Sequence, residues 1–170
     1  IILISGLSLF LSSKNIQPAD YPWRWVKEPV AQSSFKELFQ HWGLPLTLIL
    51  ASVVACIESL HPSTKILAAG IAISFALQSS AASLLLLALT LISLAYSQIK
   101  SCEDLSKKRI LAIIFGLGIS SLILIALGEL IYLDDPYGGE NERMNTVFKI
   151  YSACWAPLHI FAFIFSYQNF

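Results

Sequence analysis

The sequence predicts an all-α fold, a polytopic transmembrane helical bundle with one partial and about five spans, and no sheet. Two observations predict it. The chain is 56% hydrophobic and only 13% charged, about half the charged share of a soluble domain. Its uncharged runs also approach the roughly 20 residues a helix needs to cross a bilayer. The 11 basic and 11 acidic residues cancel. Without a basic face, nucleic acid is excluded as a partner, and the lipid bilayer is the expected one.

Ile1 to Ser13 reads as the tail of a first span. It has no basic n-region and no small-residue cleavage site, so it is not a signal peptide. Opening inside an apolar run, residues 1–170 are expected to be the C-terminal part of a larger multi-pass protein of the cell membrane. Trp42 to Ile57 is a slightly short second span, with Gly43 and Pro45 at its start, where proline is tolerated. Ile66 to Ile99 carries no charge. As one helix it would run about 50 Å against a hydrocarbon core of about 30 Å. Gln78-Ser79-Ser80-Ala81-Ala82-Ser83 at its middle predicts a tight turn between two short helices, with a single long tilted helix as the alternative. Ile110 to Gly128 and Ile150 to Phe170 are the remaining spans.

The connections differ in character. Residues 14–41 form a long interfacial loop with Pro18, Pro22 and Pro29, and its Tyr21, Trp23 and Trp25 suit the headgroup level. Within it, Ser33 to His41 predicts a short amphipathic helix, and Ser34 and Glu37 have capping-box spacing. Residues 133–145 form an acidic, Gly-rich extramembrane loop. With the hairpin in place, these two connections share one side. Lys100 to Arg109 is short and dense in cations, which favours the cytoplasmic side for it. Cys56, Cys102 and Cys154 match no metal or redox spacing and read as small apolar fillers.

The chemistry-bearing residues gather in Gly128–Trp155, GELIYLDDPYGGENERMNTVFKIYSACW. Glu129 ends an otherwise uncharged span, where a carboxylate is costly unless it reaches water or a partner. Asp134-Asp135-Pro136-Tyr137-Gly138-Gly139 has turn composition. Lys149 stands immediately before a 21-residue uncharged run. Asn145, Lys149, Ser152 and His159, at helical offsets of 0, 4, 7 and 14, mark one helix face. Such a stripe is predicted to turn toward protein or a watery cavity. Glu129 is expected within ion-pair reach of Arg143 or Lys149. The acids, Glu129, Asp134 and Asp135 foremost, suit a base or a divalent metal. Arg143 by its fork and Lys149 as a point charge suit a phosphate, with Tyr137 and Asn145 as further substrate contacts.

This stretch resembles the C-terminal signature of the YYY-domain membrane proteins, a multi-pass family of prokaryotes. Members carry a Gly-Glu near a helix end, an Asp-containing loop, then Arg-Met-Asn-Thr-Val-Phe-Lys with a Tyr and a Trp beyond. Here these are Gly128, Glu129, Asp134 or Asp135, Arg143 to Lys149, Tyr151 and Trp155. FKELFQHWGLPL at Phe35–Leu46 is also similar. Where members have Gln before the Trp, this chain has Ser152-Ala153-Cys154. The family is similar to the large polytopic glycosyltransferases that take sugar from a polyprenyl-phosphate carrier. The resemblance implies a glycosyltransferase with a lipid-phosphate-linked sugar donor, its catalytic base on an early loop upstream of Ile1. Arg143 and Lys149 would then hold the phosphate, and Glu129 and Asp134 would orient ligand or metal. Two alternatives stand beside it: a transporter with Glu129, Lys149 and His159 along its pathway, and a structural subunit whose polar residues join helices.

Overall fold

The computed structural model describes residues 23–25, 33–57, 61–76, 79–133 and 144–169. Among the described residues five helices make the bundle: α1 (Phe35–Ala55), α2 (Pro62–Ala76), α3 (Ser80–Ser101), α4 (Leu105–Leu130) and α5 (Met144–Asn169). Four of them, all but α2, are long and apolar enough to cross a membrane. At 15 residues α2 reaches only about 22 Å, short of the hydrocarbon core. The Ile1–Ser13 run lies outside the described residues. The fold is that of a polytopic helical membrane protein.

The amphipathic segment and the second predicted span are one continuous helix. Ser34 caps α1, its Oγ accepting from the Glu37 amide at 3.3 Å while the Glu37 carboxylate accepts from the Ser34 amide at 2.8 Å. This reciprocal box satisfies two amides that the first turn leaves open. Pro45 lies inside the helix without ending it. The predicted hairpin between α2 and α3 is present, with a narrower turn. Residues Ser80 to Ser83 already belong to α3, because Ser79 serves as its N-cap and accepts from Ala82 N. Likewise Lys107, Lys108 and Arg109 occupy the first turns of α4 rather than a loop, with Asp104 as the cap.

Contacts fix the directions. Thr64 bonds Ser93, Gly70 meets Leu86, and Ser74 bonds Ser83 at 2.8 Å, so α2 and α3 run antiparallel. Gly128 faces Ile150, and Phe115 faces Phe165 at 5.6 Å between ring centroids, so α4 and α5 are antiparallel. Trp42 meets Tyr151, Ser52 bonds Ser166 at 3.0 Å, and Cys56 Sγ donates to Asn169 at 2.9 Å, so α1 and α5 are parallel. One end of the bundle therefore collects the starts of α1, α3 and α5 and the end of α4. The other collects Lys65, Lys100, Lys107, Lys108 and Arg109.

A sheet was not expected, yet two short strands pair antiparallel at the first end. In this ladder β1 (Trp23–Trp25) lies against β2 (Ile131–Leu133), Arg24 opposite Tyr132. Both segments are rich in aromatic or β-branched residues, β2 follows α4 directly, and each strand supplies the other's backbone partners. The ladder ties the segment before α1 to the one after α4, so the two long connections meet at one end.

In lipid, helices gain little from hydrophobic exclusion, and close packing holds them together. Here α3 packs between α2 and α4, burying one broad face from Ser80 to Ala95 while Leu89, Ile92 and Tyr96 stay exposed on the other. Phe115, Phe161 and Phe165 pack as a cluster with centroids 5.3 to 5.7 Å apart. Two of the three glycines of α4, Gly118 and Gly116, behave oppositely. A Cβ at Gly118 would overlap the Phe161 ring, whereas one at Gly116 meets nothing within 4 Å. Gly118→Ala is expected to lower stability by about 1–3 kcal/mol through overpacking. Gly116→Ala should be neutral or slightly stabilising by helix propensity. Thermal unfolding of both variants in detergent checks this, and equal effects would contradict the packing.

Candidate functional site: a buried carboxylate at the ladder end

Glu129 sits in the last turn of α4 and is fully buried. Gly128 beside it lets α5 come close, since a Cβ there would lie 2.9 Å from Ile150 Cδ1. That approach brings Tyr151 to the carboxylate, and its hydroxyl donates to Oε1 at 2.8 Å. From the other side Ser33 donates twice, its amide to Oε2 at 2.7 Å and its hydroxyl to Oε1 at 2.9 Å. The adjacent serines thus divide the work: Ser34 caps α1, and Ser33 ties the segment before α1 to α4. A buried carboxylate needs donors to offset its lost hydration, and this one draws them from two other parts of the fold.

Aromatic rings surround the triad. Tyr151 lies edge-on to Trp42 at 5.2 Å and to His41 at 5.7 Å. Trp42 is buried, and among the described residues its Nε1–H has no hydrogen-bond acceptor. Further along α5, His159 packs on Trp155 at 4.4 Å, and its Nδ1 lies 2.7 Å from the Trp155 carbonyl. His159 is therefore engaged within its own helix and also stands 6.4 Å, ring centre to ring centre, from Trp42 of α1.

Lys149 does not meet Glu129. It stands exposed on α5, and the carboxylate takes its described hydrogen bonds from Ser33 and Tyr151. Of the stripe expected to turn inward, Lys149 and Ser152 are exposed, with Ala153 and Ala156 beside them, while His159 is half-buried next to Trp42 of α1. The reason is competition for the core. Cys154, Leu158, Phe161, Ala162 and Phe165 share the opposite face of α5 and bury more apolar surface. Asp134, Asp135, Tyr137 and Arg143, and the side chain of Asn145, lie outside the described residues. Among the described residues no group of three or more His, Cys, Asp or Glu side chains gathers as a metal site. Among the described residues no cysteine forms a disulfide, and Cys154 is buried as the filler expected.

Sequence reasoning singled out Glu129 but did not pair it with Ser33 or Tyr151. Ser33 is far away in sequence, and neither its identity nor its spacing announces a contact across the bundle. Tyr151 entered only through the family resemblance.

Comparison with curated proteins and with solved structures gives no significant match. A family model does match, over residues 6–158, and its description is "Uncharacterized membrane protein (DUF2298)". Since that match spans most of the chain, the protein belongs to the DUF2298 family of multi-pass membrane proteins.

Proposed function

We infer that this chain is part of a membrane glycosyltransferase of the cell membrane that uses a lipid-phosphate-linked sugar donor. One observation supports placing the reaction at the ladder end. A buried carboxylate there joins the segment before α1 to α4 and α5. The Asp134–Arg143 connection leaves β2 and enters α5 at that same end, and Lys149 stands exposed in the second turn of α5.

In the transfer step the sugar's C1–O bond to phosphate breaks as a bond to the acceptor oxygen forms. The acceptor's proton passes to a carboxylate, and the phosphate leaves as an anion. Asp134 and Asp135 are the local acids for orienting ligand or metal. Arg143 and Lys149 stabilise the departing phosphate, with Tyr137 and Asn145 as further contacts. Glu129, with both oxygens already accepting hydrogen bonds, acts by positioning this end of the bundle.

The test is transfer of radiolabel from a polyprenyl-phosphate sugar to acceptor in membranes holding the intact protein. Donor consumption that depends on the protein is expected. Sugar flux into proteoliposomes without donor cleavage would instead favour transport, and neither activity would leave a structural subunit.

A further inference from the structure

The end of the bundle opposite the ladder has no part in the proposed reaction. It holds Lys65, Lys100, Lys107 and Arg109 exposed and Lys108 half-buried. Two exposed carboxylates, Glu103 and Asp104, lie among them. Asp104 is already engaged, since its Oδ1 accepts from the Ser106 amide at 2.8 Å as the cap of α4. Cations are in excess, and most face outward.

What lies beneath them decides the kind of partner. On a helix, residues four apart share a face one turn apart. Below Lys100 on α3 come Tyr96 and Ile92, 67% and 44% exposed. Lys100 Nζ stands 5.8 Å from the centre of the Tyr96 ring. Below Arg109 on α4 come Ile113 and Leu117, 64% and 37% exposed. Each column has a cation at its rim and uncovered apolar side chains running inward along the helix. That order matches an amphiphile with an anionic head and an acyl tail. A free phosphate would use only the rim, and a soluble acidic protein would leave the columns bare.

We propose that this end of the bundle, the α3–α4 connection with the columns below Lys100 and Arg109, is a docking surface for anionic phospholipids. The headgroup phosphate lies among Lys100, Lys107 and Arg109, and an acyl chain follows Tyr96–Ile92 or Ile113–Leu117. The inference does not depend on the glycosyltransferase reading.

Native mass spectrometry of the purified protein tests it, with phosphatidylglycerol and phosphatidylcholine as probes. The unaltered protein should retain phosphatidylglycerol preferentially. Each cation removed among Lys100→Gln, Lys107→Gln and Arg109→Gln should weaken that binding roughly fivefold, and the triple variant should lose the preference. Lys36→Gln, an exposed cation at the ladder end, should leave it intact. Thermal unfolding in uncharged detergent confirms that the triple variant is folded. A folded triple variant that keeps the preference would overturn the proposal. So would an equal loss in Lys36→Gln, which would reduce the effect to overall charge, or equal retention of soluble glycerol phosphate, which would make the columns irrelevant.

Discussion

Alanine at Arg143 or at Lys149 in the intact protein is expected to abolish sugar transfer while the protein still inserts and folds. A phosphate leaving group develops charge as its bond breaks, and cations placed beside it lower the barrier. Removing one such group typically slows the step about 10²–10³-fold. Lys149 is exposed and contributes nothing to the core, so its loss should change stability by only about 0.5 kcal/mol or less. Conservative variants separate the two roles. Arg143→Lys should remain poor if the contact is bidentate, because an ammonium cannot reproduce the guanidinium fork. Lys149→Arg should be milder, since a point charge tolerates approximate placement. Label transfer in membranes, beside expression and thermal stability, gives the readout. Full activity in both alanine variants would remove these residues from the mechanism and leave the motif as a packing feature.

The second large effect belongs to stability. Glu129→Ala strips the acceptor from three donors at once, the Ser33 amide, the Ser33 hydroxyl and the Tyr151 hydroxyl. Hydrogen bonds to charged groups contribute about 1.5–3 kcal/mol each, and an orphaned buried donor costs a similar amount. Because the hydroxyls can rotate to other partners, a total loss of about 3–5 kcal/mol is expected. Glu129→Gln keeps the shape but turns an NH₂ group toward one donor. The hydroxyls can adapt and the Ser33 amide cannot, so an intermediate loss should follow. Tyr151→Phe removes a single donor and should cost less. Double-mutant cycles then report who meets whom. Glu129→Gln with Tyr151→Phe should be non-additive, since the two share a bond. Glu129→Gln with Lys149→Met should be additive, because the lysine stands apart on the exposed face of α5. Coupling in the second cycle would contradict the geometry, as would additivity in the first. Unfolding in detergent, followed by circular dichroism, measures both.

Much of the architecture was legible in the chain itself. The uncharged runs located the spans because a charge in hydrocarbon is costly wherever it falls. The length of Ile66–Ile99 demanded a break because no bilayer accommodates about 50 Å of straight apolar helix. The Ser34–Glu37 cap is a local contact, readable at a spacing of three residues. Glu129 was conspicuous because it closes the otherwise uncharged span from Ile110 to Gly128. Other features depend on what lies across the bundle. Ser33 and Tyr151 find Glu129 only after α1, α4 and α5 have packed, and Gly128 permits the approach through space rather than through sequence. The ladder between Trp23–Trp25 and Ile131–Leu133 forms because folding brings two distant backbone segments together, and no periodicity in either announces it. The polar stripe on α5 was real as a pattern, but its direction was decided by the opposite face. Cys154, Leu158, Phe161 and Phe165 fill the core with more apolar surface, and a helix can turn only one face inward.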